Sequence, residues 1–174
     1  TVTAVGAANH GTVSLVGGIV TYTPVANYYG SDNFNYTISD STGLTSTANV
    51  SLTVTNVQDA PVAANDAATV SEDSTGNVID VLANDTDADN LPPTPANAGL
   101  TVTAVGAANH GTVSLVGGVV TYTPGIGCGD ASDSFTYTVR DASGLTSTAV
   151  VSISIIQYVG VSRADGILRV GGGA

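Results

Sequence analysis

The chain has 174 residues, with fourteen Asp and Glu against three Lys and Arg, which gives a formal net charge of −11. This charge argues against nucleic acid as a partner, because phosphate binding needs a basic patch that releases counterions. A hydrophobic fraction of 43% is sufficient for folded domains, whereas the apolar runs are too short and too often interrupted for a membrane-spanning helix.

An internal repeat determines the predicted domain organisation. Residues 1–24 recur as residues 101–124 with one difference, Ile19 against Val119, so the period is 100 residues. The similarity resumes at Ser31 and Ser132, after a one-residue insertion. We therefore predict the C-terminal part of one repeat at 1–57 and a complete repeat at 58–157. Residues 158–174 do not repeat, and they are predicted to begin another module or to form a terminal β-hairpin.

The alternation of apolar and polar residues predicts strands and no helix. β-Branched and aromatic residues alternate with small polar ones along the chain. In the complete repeat this pattern predicts strands near residues 67–70, 77–82, 101–105, 111–116, 119–123, 134–140 and 147–156. Seven strands in about 100 residues are typical of an immunoglobulin-like sandwich. The fold class is therefore predicted to be all-β, with tandem immunoglobulin-like Greek-key sandwiches.

The last two strands of each repeat supply the predicted core, because one face of each carries only large apolar residues. In the complete repeat these residues are Phe135, Tyr137, Val139, Val151, Ile153 and Ile155. Their counterparts in the first repeat are Phe34, Tyr36, Ile38, Val50, Leu52 and Val54.

The densest polar feature is the segment NDTDADN at residues 84–90, which places Asp85, Asp87 and Asp89 at alternate positions. In a tight loop, three such carboxylates would repel one another by roughly 1 kcal/mol per pair in water and by more when partly buried. A hard cation that takes six to eight oxygen ligands would remove this repulsion. The alternative is a solvated acidic turn. An EF-hand is excluded, because Asn90 and Ala96 stand where its loop needs Gly and Glu.

Further carboxylates are predicted to lie at one end of the sandwich, near the stiff linker of residues 56–66 that contains Pro61. These are Asp59, Asp66, Glu72 and Asp73. Asp40 and Asp141 end equivalent late strands, and Asp40 could face the linker from the preceding repeat. For both, the alternative is an Asx-type turn into the residues that follow, since residues 40–44 read DSTGL and residues 141–145 read DASGL.

These motifs together carry a resemblance. The ordered segments DAPVAANDAATVSED, VLANDTDAD, GTVSL and GLTSTANVSLTV resemble the bacterial cadherin-like and VCBS-type tandem repeats of giant surface adhesins. The resemblance covers residues 1–157 and implies extracellular sandwiches strung into rods, Ca²⁺ at or near the junctions, and a role in attachment or biofilm cohesion. Carried over by position, the implied ligands are Asp59, Asp66, Glu72, Asp73, Asp85, Asp87 and Asp89, to which the linker argument adds Asp40.

Three functions are compatible with the sequence. The leading hypothesis is a non-enzymatic, calcium-stiffened segment of a secreted or surface-anchored bacterial protein, whose partners are neighbouring repeats and a cell-surface or matrix ligand. A second is a filament subunit in which residues 158–174 complete a neighbouring copy by strand addition. The third is a glycan-binding module, which a chain with no Trp and few aromatic residues does not favour. The repeated His10 and His110 are predicted to be structural, because no catalytic motif accompanies them.

Overall fold

The computed structural model describes residues 1–157, together with the backbone of 160–164 and 167–171. The chain forms two compact units, Thr1–Gln58 and Asp59–Ala174. All of its regular elements in these residues are strands. No helix in the described part of the chain is long and apolar enough to cross a membrane. The all-β prediction is confirmed.

The first unit contains five strands. They are β1 (Val2–Val5), β2 (Gly11–Val16), β3 (Ile19–Pro24), β4 (Gly30–Ser39) and β5 (Thr45–Val54). One sheet has the order β1-β4-β5, and β2 pairs with β3 in the other. All of these pairs are antiparallel.

The second unit contains the complete sandwich. Its strands are β6 (Asp66–Ser71), β7 (Asn77–Ile79), β8 (Thr101–Val105), β9 (Gly111–Val116), β10 (Val119–Pro124), β11 (Ser132–Arg140) and β12 (Thr146–Ile156). A four-stranded sheet has the order β6-β12-β11-β8, and a three-stranded sheet has the order β7-β10-β9. β6 runs parallel to β12, whereas the other pairs in these two sheets are antiparallel.

All seven predicted strands are present, and only β7 is clearly shorter than predicted. It ends at Ile79 rather than at residue 82, because the chain turns there, and Val81 points into the core with 2% of its surface exposed. The hairpin between β9 and β10 turns at Gly117 and Gly118, whose φ angles are 58° and 83°. Two successive positive φ angles are what a type I′ turn requires, so glycine suits both positions.

The core of the second unit is the predicted one. The six residues of β11 and β12 that were expected to be buried are all at most 2% exposed: Phe135, Tyr137, Val139, Val151, Ile153 and Ile155. The facing sheet and its flanking loops contribute Ile79, Val81, Val120 and Tyr122. This layer holds the two sheets together through apolar burial, at roughly 25 cal/mol per Å².

The predicted core of the first unit is only partly buried. Phe34 is 6% exposed, but Ile38 is 44% exposed, so its assignment to the core is wrong. Tyr36, Val50, Leu52 and Val54 are half-buried. The physical reason is that residues 1–57 contain no counterpart of residues 58–100, whose side chains, among them Val70, Ile79, Val81 and Leu100, complete the core of the second unit.

Beyond β12, two further strands, β13 (Gly160–Ala164) and β14 (Ile167–Gly171), pair antiparallel with each other. Their pairing agrees with the hairpin alternative for residues 158–174. Asp165 and Gly166, which connect these two strands in sequence, lie outside the described residues.

Candidate metal centre

The acidic segment lies in the long connection between β7 and β8, and backbone bonds give it a closed shape. The amide of Asp87 donates to the Ala96 carbonyl at 2.8 Å, and the Asp89 amide donates to Asp87 Oδ1 at 2.9 Å. The side-chain amide of Asn90 donates to the carbonyls of Ala96 and Ala98 at 3.0 and 2.9 Å. Residues 87–98 therefore fold back on themselves and hold the carboxylates in place.

Three carboxylates converge at this loop. One oxygen from each of Asp87, Asp89 and Asp141 lies within 4.8 Å of the other two. Asp87 and Asp141 are only 6% and 7% exposed, so their mutual repulsion is weakly screened by water. The geometry brings together two members of the predicted acidic segment and one residue from the turn between β11 and β12.

Asp141 also forms the Asx-type turn that was predicted as its alternative. Its Oδ1 accepts hydrogen bonds from the amides of Gly144 at 2.6 Å and Leu145 at 2.8 Å, and both carboxylate oxygens accept from the Ser143 hydroxyl at 2.9 Å. Burial opposes ionisation, but these hydrogen bonds outweigh it and lower the pKa of Asp141. The carboxylate is therefore held ionised and in a fixed orientation.

Two further carboxylates of this unit are those of Asp85, which is buried, and Asp66, which is half-buried. Asp85 is 2% exposed, and its Oδ1 accepts hydrogen bonds from the Ala64 amide at 2.8 Å and the Tyr137 hydroxyl at 2.9 Å. The second oxygens, Asp85 Oδ2 and Asp66 Oδ2, are buried and have no hydrogen-bond partner among the described residues. Burial, with the negative charge of Asp85 as a further cause, raises the pKa of Asp66 against the lowering effect of Tyr137. Both carboxylates thus have an unused ligand atom.

The linker is fastened to this loop. The Asp59 amide donates to Asp89 Oδ2 at 3.1 Å. Val62 and Thr86 exchange two backbone bonds, at 2.7 and 3.1 Å. The first residues of the second unit are therefore held to this loop by one bond to a carboxylate of the cluster and by two backbone bonds.

Glu72 and Asp73 do not join this cluster, and the prediction that they lie at the same end is wrong. β6 runs parallel to β12 and ends where β12 ends, so the Glu72 amide donates to the Ile156 carbonyl at 2.8 Å. Asp141 precedes the start of β12, which has eleven residues. At about 3.3 Å per residue, this separates the two ends by roughly 35 Å.

Asp40 belongs to the first unit, where it repeats the turn of Asp141. Its Oδ1 accepts hydrogen bonds from the amides of Thr42 at 2.8 Å and Leu44 at 3.0 Å. Hydrogen bonds from Thr42 and Leu44 lower the pKa of Asp40. The Asx-type turn predicted as its alternative is therefore present.

The donor set of the cluster suits a hard cation such as Ca²⁺, because every candidate ligand atom is an oxygen. Asp66 and Asp85 do not belong to this group of three, although each has a buried oxygen without a hydrogen-bond partner among the described residues. Asp141 was not among the predicted ligands, although the sequence places it at the end of a late strand, where a turn begins. Sequence reasoning also did not single out Asp32 and Asp133, two buried carboxylates that serve turns instead.

A family model described as the bacterial Ig domain matches residues 1–53 and 58–154. The chain belongs to the bacterial Ig domain family. No curated protein matches it. The two matched segments correspond to the two copies of the repeat, the first of them lacking the strands that open the second.

Solved structures show the same fold. The chain is similar to the human desmocollin-1 ectodomain, with 19% identity and a TM-score of 0.50 over 88% of this chain and 31% of that one. A protocadherin gammaB7 EC3-6 cis-dimer structure matches with 14% identity and a TM-score of 0.53, over 91% of this chain and 41% of that one. The chain thus spans less than half of these ectodomains, and at this identity the likeness establishes a cadherin-like fold alone.

Proposed function

We propose that this chain is a segment of an extracellular rod on a bacterial surface, in which Ca²⁺ stiffens successive immunoglobulin-like repeats. The observation that carries the proposal is the convergence of Asp87, Asp89 and Asp141 within 4.8 Å beside the linker. The rod would hold an adhesive end away from the cell and so serve attachment or biofilm cohesion. Its partners would be neighbouring repeats and a cell-surface or matrix ligand.

The stiffening follows from what the carboxylates contact. A cation at the cluster would offset their repulsion and fix the orientation of Asp89, which holds the Asp59 amide. Ordering this bond and the Val62–Thr86 pair would restrict the linker as it enters the unit. Asp85 and Asp66 stay predicted ligands, each with one buried oxygen that has no hydrogen-bond partner among the described residues. Glu72 and Asp73 would bind Ca²⁺ at the opposite end of the second unit, toward a following module. Asp40 would bind Ca²⁺ in the first unit, which precedes the linker.

The expected affinity makes the stiffness of the rod depend on the external Ca²⁺ concentration. Extracellular modules bind Ca²⁺ with dissociation constants of about 0.1–1 mM, so occupancy follows the external concentration. A free concentration near 100 times that constant would add roughly 2.7 kcal/mol per site to the free energy of unfolding.

The test is to titrate the metal-stripped chain with Ca²⁺ while following the melting temperature and the particle length by small-angle scattering. We expect Ca²⁺ to raise the melting temperature and to lengthen the particle, and excess EDTA to reverse both. Asp87→Asn should weaken the Ca²⁺ response at least ten-fold. Asp130→Asn, the same charge change on an exposed loop residue, is the matched control and should leave it unchanged. A melting temperature and length that do not respond to EDTA would refute the proposal.

A further inference from the structure

Strand β9 is an open edge of the sandwich in the second unit. It lies last in the order β7-β10-β9, and β10 is the only strand that pairs with it. All seven strands of this sandwich are present, so the edge is a feature of the whole fold. A strand in this position presents a row of backbone N–H and C=O groups without strand partners, which is a template for pairing with another chain.

The other three edges of these two sheets carry features that discourage such pairing. β8 has an irregular register against β11, β7 has only three residues and is followed by Asp80, and β6 begins at Asp66 and is followed by Glu72. Bulges, short strands and charges are the usual means by which proteins protect the edges of sheets. β9 has none of them: its six residues, GTVSLV, pair with β10 without a register shift and include no charge and no proline.

The apolar side chains of β9 are only partly covered. Val113 and Leu115 pack against the core but are half-buried, whereas Val120 on the neighbouring β10 is 1% exposed. On the outer face, Val116 is 73% exposed, and its partner Val119 on β10 is 49% exposed. A further strand beside β9 would cover the side chains of β9 on both faces. Apolar burial therefore favours extension of this sheet.

The direction of the backbone groups of β9 follows from its hairpin. Val116 and Val119 flank the two-residue turn, and residues in these positions exchange both of their backbone bonds. Only alternate residues of an antiparallel strand bond to the same neighbour, so the N–H and C=O groups of Val113 and Leu115 point away from β10. In the part of the chain that the structure describes, neither residue makes a backbone bond to another element.

The distribution of charge favours a second copy of this chain as the partner at this edge. The net charge is −11, but none of the fourteen carboxylates lies in residues 101–124. Two copies repel each other wherever their acidic surfaces meet, and they approach most closely through this uncharged segment. The same six residues recur as β2 in the first unit, where β3 is the only strand that pairs with them. Each unit therefore presents the same neutral edge.

We propose that β9 is a self-association surface to which a second copy of this chain adds its own β9, antiparallel and edge to edge. The two three-stranded sheets become one sheet across a two-fold axis, and Val113 and Leu115 of each copy supply the backbone bonds. Because the strand recurs in each unit, weak contacts between two chains act together. The contact uses backbone and apolar groups and no cation, so it goes beyond the proposed function and does not depend on it.

The experiment follows self-association of the full chain by sedimentation velocity in EDTA and 150 mM NaCl, where the screening length is about 8 Å. EDTA separates this contact from the calcium proposal. We expect reversible association that Ser14→Asp with Ser114→Asp weakens at least ten-fold, because like charges then meet across the paired edges. Ser51→Asp with Ser152→Asp, the same substitutions at exposed positions of β5 and β12, is the matched control and should associate as the parent does. Equal weakening by the two variants overturns the proposal, because net charge alone would then explain it.

Hydrogen exchange locates the contact within the chain. The amides of Val113 and Leu115 should exchange more slowly as the chain concentration rises, whereas those of Thr112 and Ser114, which bond within the hairpin, should not change. Protection of Val113 and Leu115 that is independent of concentration overturns the proposal, because the edge would then be covered within a single chain. Association that the Ser14→Asp with Ser114→Asp variant leaves intact overturns it, and so does the absence of association at millimolar chain.

Discussion

At the residue scale, the repeated NHG segment forms a turn around a buried carboxylate, and this structural role accounts for it without a catalytic one. Asp133 accepts hydrogen bonds from the amides of Asn109 at 3.0 Å and His110 at 2.8 Å, and from the Tyr122 hydroxyl at 2.7 Å. Asp32 makes the same contacts in the first unit. A Cβ at Gly111 would overlap the Tyr122 ring, so glycine is required there. Each histidine therefore contributes its backbone amide to this turn.

Replacing Asp133 with Asn should destabilise the second unit by about 1–3 kcal/mol, because an amide group cannot accept all of the hydrogen bonds that the carboxylate accepts. The loss should appear as faster hydrogen exchange at the amides of Asn109, His110 and Ser134. Asp130→Asn, which makes the same change of charge at an exposed position nearby, should leave these rates unchanged. Equal effects of the two variants would show that net charge, not the hydrogen bonds, matters.

The same carboxylates predict an acid-sensitive fold. Burial opposes ionisation of Asp32, but bonds from Asn33, His10 and Tyr22 outweigh it and lower its pKa to about 2; the pKa of Asp133 is lowered in the same way. Since an unfolded Asp titrates near pH 3.9, the stabilisation is complete above that value and is lost as the pH falls toward 2. We expect a melting temperature that declines from about pH 4 to pH 2, and NMR titration should give a pKa of about 2 for Asp32 and a lowered pKa for Asp133. Ordinary pKa values for both would contradict the assignment.

At the scale of elements, the strands and the core of the second unit could be predicted because the alternation of side chains has a clear period. Phe135, Tyr137 and Val139 share a face whatever the topology. The position of Glu72 could not be predicted from the sequence, because it depends on β6 running parallel to β12, and no local pattern specifies that direction. The exposure of Ile38 follows from strands that the first unit lacks. Asp141 joins Asp87 only through the three-dimensional meeting of a turn and a distant loop.

Joining a copy of residues 58–100 in front of Thr1 should therefore complete the first unit. The half-buried Val50, Leu52 and Val20 would become buried, as their counterparts are. Burying a Val or Leu side chain fully contributes about 1.5–3 kcal/mol, so the gain for the unit should be several kcal/mol. It would be measured as slower amide exchange in β3 and β5. A fused segment with Val70→Asp and Ile79→Asp is the control, and protection that survives these changes would show that apolar burial is not what protects β3 and β5.

At the scale of the whole molecule, the acidic excess has two separable consequences. Twelve carboxylates precede Arg140, the first basic residue, and a net charge of −11 opposes compaction over long distances. The repulsion within the Asp87, Asp89 and Asp141 cluster is different, because it acts over less than 4.8 Å. Simple salt and a bound cation should therefore stabilise the chain through different residues.

Raising NaCl from 10 to 150 mM in the absence of divalent cations shortens the screening length from about 30 to about 8 Å. We expect the melting temperature to rise by a few degrees, because charges on separate elements are screened while those of the cluster are not. Ca²⁺ at the same ionic strength should add a further rise on the order of 10 °C at saturation, given roughly 4–8 °C per kcal/mol for a domain of this size. Asp87→Asn should reduce the Ca²⁺ step and leave the NaCl step intact. If NaCl alone produces the whole rise, the acidic residues act only as diffuse charge and the cluster binds no cation.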